Sequence, residues 1–553
     1  MAAKTMRHST SPLLKEIGAM CHRPCWVATA CSAWLFFGLA STDAADWLTE
    51  GGNNARSFAT ADALPVAMKE QWRVQAPAIP RLAWSSAEGR TIEGIPLAHR
   101  IRFDDAFRTV IAGGRVYFGS TVDHGVHCYE LATGRRLWTC FTGGPVRLSP
   151  TVFEDRVYFG SDDGRAYCVE AATGNVIWQR QIAPRDEWLL ARGELISKWP
   201  VRTGVMIHQG VAYLGAGIFP HEDVYLFGLD PATGRPVWRE DNISAQDAGR
   251  NDLSPQGYLL AEENRLFVPS GGSLPAVFDI GDRKLLHKRT HSWRGAAGVV
   301  GGTRALLSDG QLYTVGEHHI LGMDQQTGDI GYGWFDGRLL ATQADAAYIL
   351  TGSRVARLDR AAYTENSRRR RKLETDIVTV ARDARSKQGE EAEALKTKVR
   401  GFQQELKDIA EIGVVWSTST TDDGALLAAG NAIVVGGQGR VAAYSKDDGS
   451  EVWSTAIDGT VRGLAVADGH LLASTDLGAI VCFGDANTPA TSSTTDAPGV
   501  TAGANDVLRA AASEILSRTG VKAGYCLVVG AEEGRLAEEL ARHSELKIYC
   551  VEP

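Results

Sequence analysis

Three segments of this 553-residue chain share one pattern: 128–138 (CYELATGRRLW), 168–178 (CVEAATGNVIW) and 228–238 (GLDPATGRPVW). Two less regular copies lie at 322–334 (GMDQQTGDIGYGW) and 443–453 (AYSKDDGSEVW). Each copy places a glycine in a turn between two short strands, where glycine adopts a positive φ without steric cost. The closing tryptophan begins the next strand and offers a large flat surface to a neighbouring sheet. The pattern therefore indicates a repeated antiparallel unit.

Short apolar strands that end in glycine precede most copies, as in 116–119 and 157–160 (both VYFG). Each unit then has four short strands, and such a unit repeating every ~40–50 residues is typical of a β-propeller. The outer strand of each blade is expected at Trp138, Trp178, Trp238, His287, Trp334, Trp416 and Trp453. The strand around Trp72 is expected to complete the last blade and close the ring. The sequence thus predicts eight four-stranded blades, with seven as the alternative if the weak fourth unit merges.

The composition fits a folded, exported protein. The chain is 44% hydrophobic with a net charge of -8, which argues against nucleic-acid binding by its surface. Residues 1–45 resemble a cleavable signal peptide, because Arg23 precedes a short apolar run (26–40) and small residues follow it. The mature protein is therefore expected to be soluble in the periplasm or cell envelope. The six cysteines after residue 45 show no CxxC spacing and are expected to be small buried strand residues.

The remaining domains follow from breaks in the repeat. The propeller is expected over 46–484, a linker rich in Thr, Ser, Ala and Pro over 485–505, and a separate α/β segment over 506–553. Residues 366–412 carry apolar positions at helical spacing and predict a helical hairpin inserted in the propeller. Its apolar faces pack on each other, or the hairpin is a partner-docking arm. A second insertion, 183–200, is interpreted as a long loop able to cover one propeller mouth.

The repeat resembles the tryptophan-docking motif A-x-D-x-x-T-G-x-x-x-W of pyrroloquinoline-quinone-type propellers, over about residues 46–485. That family includes quinoprotein alcohol dehydrogenases and the propeller lipoprotein of the outer-membrane assembly machine. The resemblance implies either a binding scaffold or an oxidoreductase that uses the quinone with calcium. No adjacent cysteine pair and no calcium trio can be placed by spacing; Asp252 beside Asn251 is the nearest metal candidate. The pairs His124 with His127 and His318 with His319 lie in turns.

Several blades carry an arginine ahead of their VYFG-type strand, near the expected entry to the innermost strand. These are Arg108, Arg147, Arg202, Arg294, Arg338 and Arg462. Arginine recognises carboxylates and phosphates through its planar fork, so three or more of these side chains lining one channel mouth would bind an anion. The alternative is a set of salt bridges between neighbouring blades.

The segment after the linker has the order helix, strand, glycine-containing turn, helix, strand and acid. It resembles the first β-α-β unit of class I S-adenosylmethionine-dependent methyltransferases and is interpreted as an incomplete Rossmann-like fragment. The resemblance places Gly530 and Gly534 on the cofactor's glycine loop and Glu552 on its ribose.

The sequence as a whole favours an exported propeller scaffold that binds a protein partner or a small anionic ligand and is not itself catalytic. A quinone-dependent oxidoreductase is the first alternative, and a propeller–methyltransferase fusion is the second. The sequence identifies no catalytic residue, no metal ligand and no certain cofactor, and it leaves the oligomeric state open.

Overall fold

A computed structural model describes residues 46–84, 91–92, 95–96, 103–241, 243, 253–271, 273–288, 303–315, 320–335, 337–344, 346–490, 506–531 and 534–551. The signal peptide predicted for residues 1–45 and most of the predicted linker lie outside these ranges. Within them, successive antiparallel strands form a β-propeller, as the repeat predicts.

Six blades each contain four strands that pair in chain order. Blade 1 comprises Thr109–Ala112, Arg115–Gly119, Gly125–Glu130 and Arg136–Phe141. Blade 2 comprises Thr151–Phe153, Arg156–Gly160, Arg165–Glu170 and Val176–Gln181. Blade 3 comprises Met206–His208, Val211–Ala216, Tyr225–Leu229 and Pro236–Glu240. Blade 4 comprises Leu260–Glu262, Arg265–Val268, Ala276–Asp279 and Lys284–Lys288. Blade 5 comprises Ala305–Ser308, Gln311–Val315, Ile320–Asp324 and Ile330–Phe335. Blade 6 comprises Leu339–Gln343, Ala346–Leu350, Arg354–Asp359 and Val414–Ser419.

The seventh blade is a six-stranded sheet and corrects the predicted count of eight. Its strands are Ala425–Ala428, Ala432–Ser445, Glu451–Ala467, His470–Thr475, Ala479–Asp485 and, last in spatial order, Met68–Gln75. The sequence was expected to divide here into two blades. Instead the long strand Glu451–Ala467 pairs with a neighbour on each side and joins both sets into one sheet. The predicted alternative of seven blades required the weak fourth unit to merge with a neighbour. That unit does not merge, since Leu260–Glu262 begins a sheet of its own.

The ring closes through the N-terminal strand, which confirms the role predicted for the segment around Trp72. Met68–Gln75 pairs antiparallel with Ala479–Asp485, with Trp72 opposite Cys482. Blade 7 also contacts the first strand of blade 1 through Glu451–Ala467. Residues far apart in sequence therefore hold the first and last blades together.

Tryptophans that dock on the following blade give the repeat the geometry that recurs from blade to blade. Trp138 donates from Nε1 to the Ala171 carbonyl at 3.0 Å, and its ring lies 2.6 Å from where a Cβ on Gly174 would be. Gly174 has φ of +75°, so glycine is required both for the turn and for the close approach. Equivalent rings dock for Trp72 on Gly134, Trp178 on Gly234, His287 on Gly328 and Trp416 on Gly449.

The insertion in blade 6 folds as two helices, α1 (Arg360–Arg385) and α2 (Gly389–Asp408), which pack against each other. Asp359 caps α1 by accepting from the Ala362 amide at 2.8 Å. The base is narrow, because the Asp359 amide donates to the Gly413 carbonyl at 2.9 Å. The hairpin carries a basic run at 368–372 (RRRRK). Part of this run is paired within the hairpin, as Arg369 contacts Glu405 at 2.6 Å. The packing of α1 on α2 agrees with the first of the two interpretations of this insertion.

The C-terminal segment forms α3 (Asp506–Thr519), a strand (Ala523–Val529), α4 (Arg535–Arg542) and a second strand (Glu545–Val551). The two strands pair in parallel, which requires the crossover that α4 supplies. A short 3-10 turn (Pro220–Glu222) and two hairpins, Thr91–Ile92 with Ile95–Pro96 and Trp188–Ala191 with Glu194–Ser197, complete the elements. Among the described residues, no helix is both long and apolar enough to cross a membrane.

Candidate functional site: the central channel

The N-terminal segment lies inside the propeller. Residues 47–60, which we call the inner ring, make hydrogen bonds of 2.7–3.2 Å to the first strand of every blade. The residues contacted, in blade order, are Ile111, Val152, Ile207, Ala261, Leu307, Thr342 and Ala428. The first strands of neighbouring blades also contact each other in pairs, as blade 1 does with blade 2. The chain itself therefore occupies the channel around which the blades are arranged.

A small cavity lies between the inner ring and the segments that lead into the first strands. Its volume is about 20 Å³, and its lining combines aromatic and charged side chains. The lining residues are Glu50, Arg56, Phe58, Phe103, Arg108, Tyr258, Thr303, Arg304 and Ala305. A cavity of this size holds a water molecule or one small ligand.

Arg108, one of the predicted arginines, lines this cavity and is paired. Its guanidinium lies 2.8 Å from Asp105 and 3.4 Å from Glu50. Burial opposes its charge, but the attraction of Asp105 and Glu50 outweighs burial and raises the pKa of Arg108. Burial also dominates at Glu50 and raises the pKa of that carboxyl, against the attraction of Arg108, Arg304 and Arg56.

Arg147 and Arg202 form a second buried cluster with Asp104 and Asp162. Arg147 contacts Asp104 at 2.7 Å and Asp162 at 2.6 Å, while Arg202 binds Asp162 through two bonds of 2.8 Å. Burial favours the neutral acid at both aspartates. At Asp162 the attraction of two guanidiniums outweighs burial and lowers the pKa. At Asp104 burial prevails and raises the pKa. Two positive and two negative groups leave this cluster neutral, as expected of a bridge between blades.

The other predicted arginines do not reach the cavity. Arg338 is half-exposed and pairs with Asp423, and Arg462 lies 3.8 Å from Asp105, behind Arg108. Arg294 lies outside the described residues. The five described arginines thus all have carboxylate partners, which favours the salt-bridge alternative of the sequence analysis over a shared anion site built from these six.

Two arginines that sequence reasoning missed lie at the cavity instead. Arg56, on the inner ring, donates to the Leu259 carbonyl at 3.0 and 2.8 Å, to Thr49 Oγ1 at 2.6 Å and to the Glu50 carbonyl at 2.8 Å. Arg304 directly precedes the first strand of blade 5, as Arg108 precedes that of blade 1. For Arg304, the position immediately before the first strand of a blade was therefore a better signal than the distance ahead of a VYFG-type strand. Arg56 precedes the first repeat, so no periodic pattern marks it.

None of the described His, Cys, Asp and Glu side chains forms a group of three that could hold a metal ion. The prediction that His124 and His127 lie in turns is wrong for His127, which lies in the strand Gly125–Glu130 and pairs with Asp123 at 3.0 Å. His124 precedes that strand and lies 3.4 Å from Glu194. Asn251, Asp252, His318 and His319 lie outside the described residues. All six described cysteines are free. The propeller's four are buried, as predicted, but Cys526 is half-buried and Cys550 is exposed, so the prediction is wrong for the C-terminal two.

The hairpin of the second insertion contacts the C-terminal unit. Glu194 lies 2.5 Å from Arg81 and also pairs with Lys547, while the Leu195 amide donates to Tyr549 Oη at 3.1 Å. Burial opposes the charge of Glu194, but hydrogen bonds from His124 and Lys547 outweigh it and lower the pKa of Glu194 to about 2. This carboxylate is the electrostatic link between the propeller and the C-terminal unit.

The link predicts a pH dependence. Because the folded pKa is depressed, Glu194 contributes its full stabilisation above its unfolded value of ~4.3 and loses it as pH falls towards 2. At pH 7, Glu194→Gln is expected to raise hydrogen exchange at the Leu195 amide several-fold, while Glu545→Gln, an exposed carboxylate on the same C-terminal strand as Lys547, leaves it unchanged. Equal exchange in both variants would contradict the link.

The glycines of the C-terminal unit have the conformation of a tight strand–helix turn. Gly530 (φ +69°) donates to the Val551 carbonyl at 2.8 Å, and Gly534 (φ +72°) caps α4. Glu552 lies outside the described residues. A parallel strand pair with one connecting helix occurs in many α/β folds, so the methyltransferase interpretation stays a prediction.

The fold and channel define a β-propeller of the tryptophan-docking type. A family model described as "Outer membrane protein assembly factor BamB" matches residues 69–330 and 404–537, and the chain belongs to this family. The second match extends past the propeller into the C-terminal unit.

Individual relatives share limited parts of the sequence. A quinoprotein ethanol dehydrogenase of Pseudomonas putida is 25% identical over 166 residues, which are 28% of this chain and 26% of the relative. A tetrathionate hydrolase of Acidithiobacillus ferrooxidans is 22% identical over 132 residues, 24% of this chain and 23% of the relative. The matched segments thus span about a quarter of the length of these relatives. Among solved structures, quinohemoprotein alcohol dehydrogenase from Comamonas testosteroni has a TM-score of 0.53 at 13% identity, covering 81% of this chain and 82% of its own; this shows a shared fold.

Pyrroloquinoline quinone with calcium is the cofactor that the quinoprotein resemblance implies for the channel. The quinone is a fused-ring triacid, whereas the central cavity measures about 20 Å³. Carboxylates already pair with three of the predicted arginines, Arg108, Arg147 and Arg202. The described residues therefore do not fit the quinone at this position.

Proposed function

We propose that this protein is an exported, non-catalytic propeller of the cell envelope that serves as a scaffold for a protein partner. Membership of the assembly-factor family supports a role in binding. The observation that carries the proposal is the inner ring, since the chain's own residues bond to all seven blades where a cofactor would otherwise enter. A propeller closed in this way offers its outer surfaces and its insertions to a partner.

A quinone-dependent oxidoreductase is the second candidate, favoured by the match to a quinoprotein ethanol dehydrogenase. The quinone and calcium are its cofactors, and S-adenosylmethionine would belong only to the fusion alternative. The two candidates differ in what they bind, so one titration distinguishes them.

The purified chain is titrated with the quinone and calcium, with absorbance and tryptophan fluorescence as readouts. The scaffold proposal expects no saturable change. A quinoprotein dehydrogenase in the same buffer is the positive control. Stoichiometric uptake of the quinone would overturn the proposal and establish the second candidate.

Partner binding is tested with a hairpin-deleted chain in which glycines replace residues 361–411. The bond between Asp359 and Gly413 already holds the two ends together, so blade 6 should fold normally. The full chain, recovered from the envelope after cross-linking, is expected in a complex of defined size larger than itself. Loss of that complex on deletion assigns the hairpin as the docking arm, and a full chain recovered solely as free protein would contradict the scaffold.

A further inference from the structure

Counted over the residues that the structure describes, the cavity beneath the inner ring holds more positive than negative charge. Arg56, Arg108 and Arg304 line it together with one carboxylate, Glu50. Asp105 lies behind, 2.8 Å from Arg108 and 3.8 Å from Arg462. Four guanidiniums against these two carboxylates leave an excess of two positive charges, and protonation of Glu50 would raise it to three. Buried charge without compensation is costly, so an anion in the cavity would stabilise the fold.

Among the described residues, two of the guanidiniums have no carboxylate bonded to them. Each hydrogen bond from Arg56 goes to a neutral acceptor: the Leu259 and Glu50 carbonyls and the Thr49 hydroxyl. The guanidinium of Arg304 lies 4.5 Å from the Phe58 ring centre, and within the described residues it makes neither a hydrogen bond nor an ion pair. Burial lowers the pKa of both Arg56 and Arg304 to about 10, so both stay charged at neutral pH.

We propose that this cavity binds one inorganic oxyanion of the phosphate or sulfate class, held by Arg304 and Arg108 with the charge of Arg56 behind it. A dianion matches the excess of two charges counted above. The planar fork of arginine suits tetrahedral oxyanions, and the volume of about 20 Å³ admits a single small ligand. Tyr258, whose hydroxyl bonds Ser149 Oγ at 3.0 Å, closes one side of the cavity. This site is independent of the proposed protein partner.

Binding is measured on the full chain by equilibrium dialysis with labelled inorganic phosphate, in chloride buffers of constant ionic strength. One phosphate per chain is expected, with unlabelled sulfate competing for it. Arg304→Gln is expected to weaken phosphate binding at least about 10-fold, since it removes a charge-assisted contact. Arg304→Lys keeps the charge without the fork and should weaken it by a smaller factor. Arg338→Gln, at a half-exposed ion pair away from the cavity, is the matched control and should bind as the parent does.

Thermal unfolding separates a ligand-binding arginine from a structural one. In phosphate-free buffer, Arg304→Gln should unfold at the same temperature as the parent or higher, because it removes repulsion from Arg108. Adding phosphate should raise the parent's midpoint, and the same phosphate concentration should raise that of the variant by less. Absence of saturable phosphate binding to the parent, or equal binding by Arg304→Gln, would overturn the proposal. If Arg304→Gln does not fold, unchanged affinity in Arg304→Lys has the same meaning.

Discussion

Replacing Arg56 with methionine is expected to lower the free energy of unfolding by about 3 kcal/mol or more. The side chain is buried and donates four hydrogen bonds, and its loss leaves the Leu259 and Glu50 carbonyls without those donors. Each buried acceptor left unpaired costs ~1–3 kcal/mol. The measurement is denaturant-induced unfolding, followed by tryptophan fluorescence in phosphate-free buffer.

The size of this effect tests whether the inner ring is part of the folded core. Arg135→Met, at an exposed position on the turn of blade 1, is the matched control and should change stability by less than ~0.5 kcal/mol. A similarly small effect at Arg56 would show that the ring does not anchor the blades. Burial already opposes the charge of Arg56, and removing that buried charge offsets part of the loss, which is why the expected value is nearer to 3 than to 6 kcal/mol.

Replacing Trp138 with alanine is expected to cost about 4 kcal/mol, because truncation of a buried aromatic side chain leaves a cavity as well as losing apolar contact. The ring fills the space above Gly174 and joins blades 1 and 2 through its bond to the Ala171 carbonyl. Chemical unfolding again gives the value. Val176→Ala, at an exposed position on the same turn-and-strand unit of blade 2, should change it by less than ~1 kcal/mol.

A histidine at the same position provides a sharper control. In blade 4, His287 takes the docking position that Trp138, Trp178 and Trp416 have in blades 1, 2 and 6, and it bonds the Gln325 carbonyl at 3.1 Å. Trp138→His should therefore retain part of the stability that Trp138→Ala loses. If histidine and alanine were equally destabilising, the hydrogen bond to the neighbouring turn would contribute nothing, and apolar contact alone would explain the docking.

The fold could be predicted from sequence because its determinants are local. A glycine in a positive-φ turn and a tryptophan four residues later, as in Gly174 and Trp178, recur in blades 1, 2, 3 and 7 and need no knowledge of distant residues. The helices of the blade 6 insertion were likewise visible in their apolar spacing. The closing strand was found because Trp72 had no partner strand of its own nearby in the sequence.

The predicted blade count was wrong for a tertiary reason. From the sequence, the outer strands of two separate blades were expected at Trp453 and around Trp72, but pairing continues along Glu451–Ala467 on both sides and merges them into one sheet. The candidate site was only partly predictable for a similar reason. Arg108 was identified, but carboxylates from other segments, such as Glu50, pair with it, and no spacing in the sequence predicts which charges meet.

The sequence by itself determined the repeated four-stranded unit, the docking tryptophans and the closing strand, since each depends on residue type and short-range spacing. Only the tertiary structure decided what fills the channel. The inner ring forms because the segment ahead of the first repeat bonds to all seven blades at once, and Arg56 and Arg304 meet Arg108 only when those blades are assembled. Charge excess at such a meeting point is a property of the assembled chain, and it is there that we place the oxyanion.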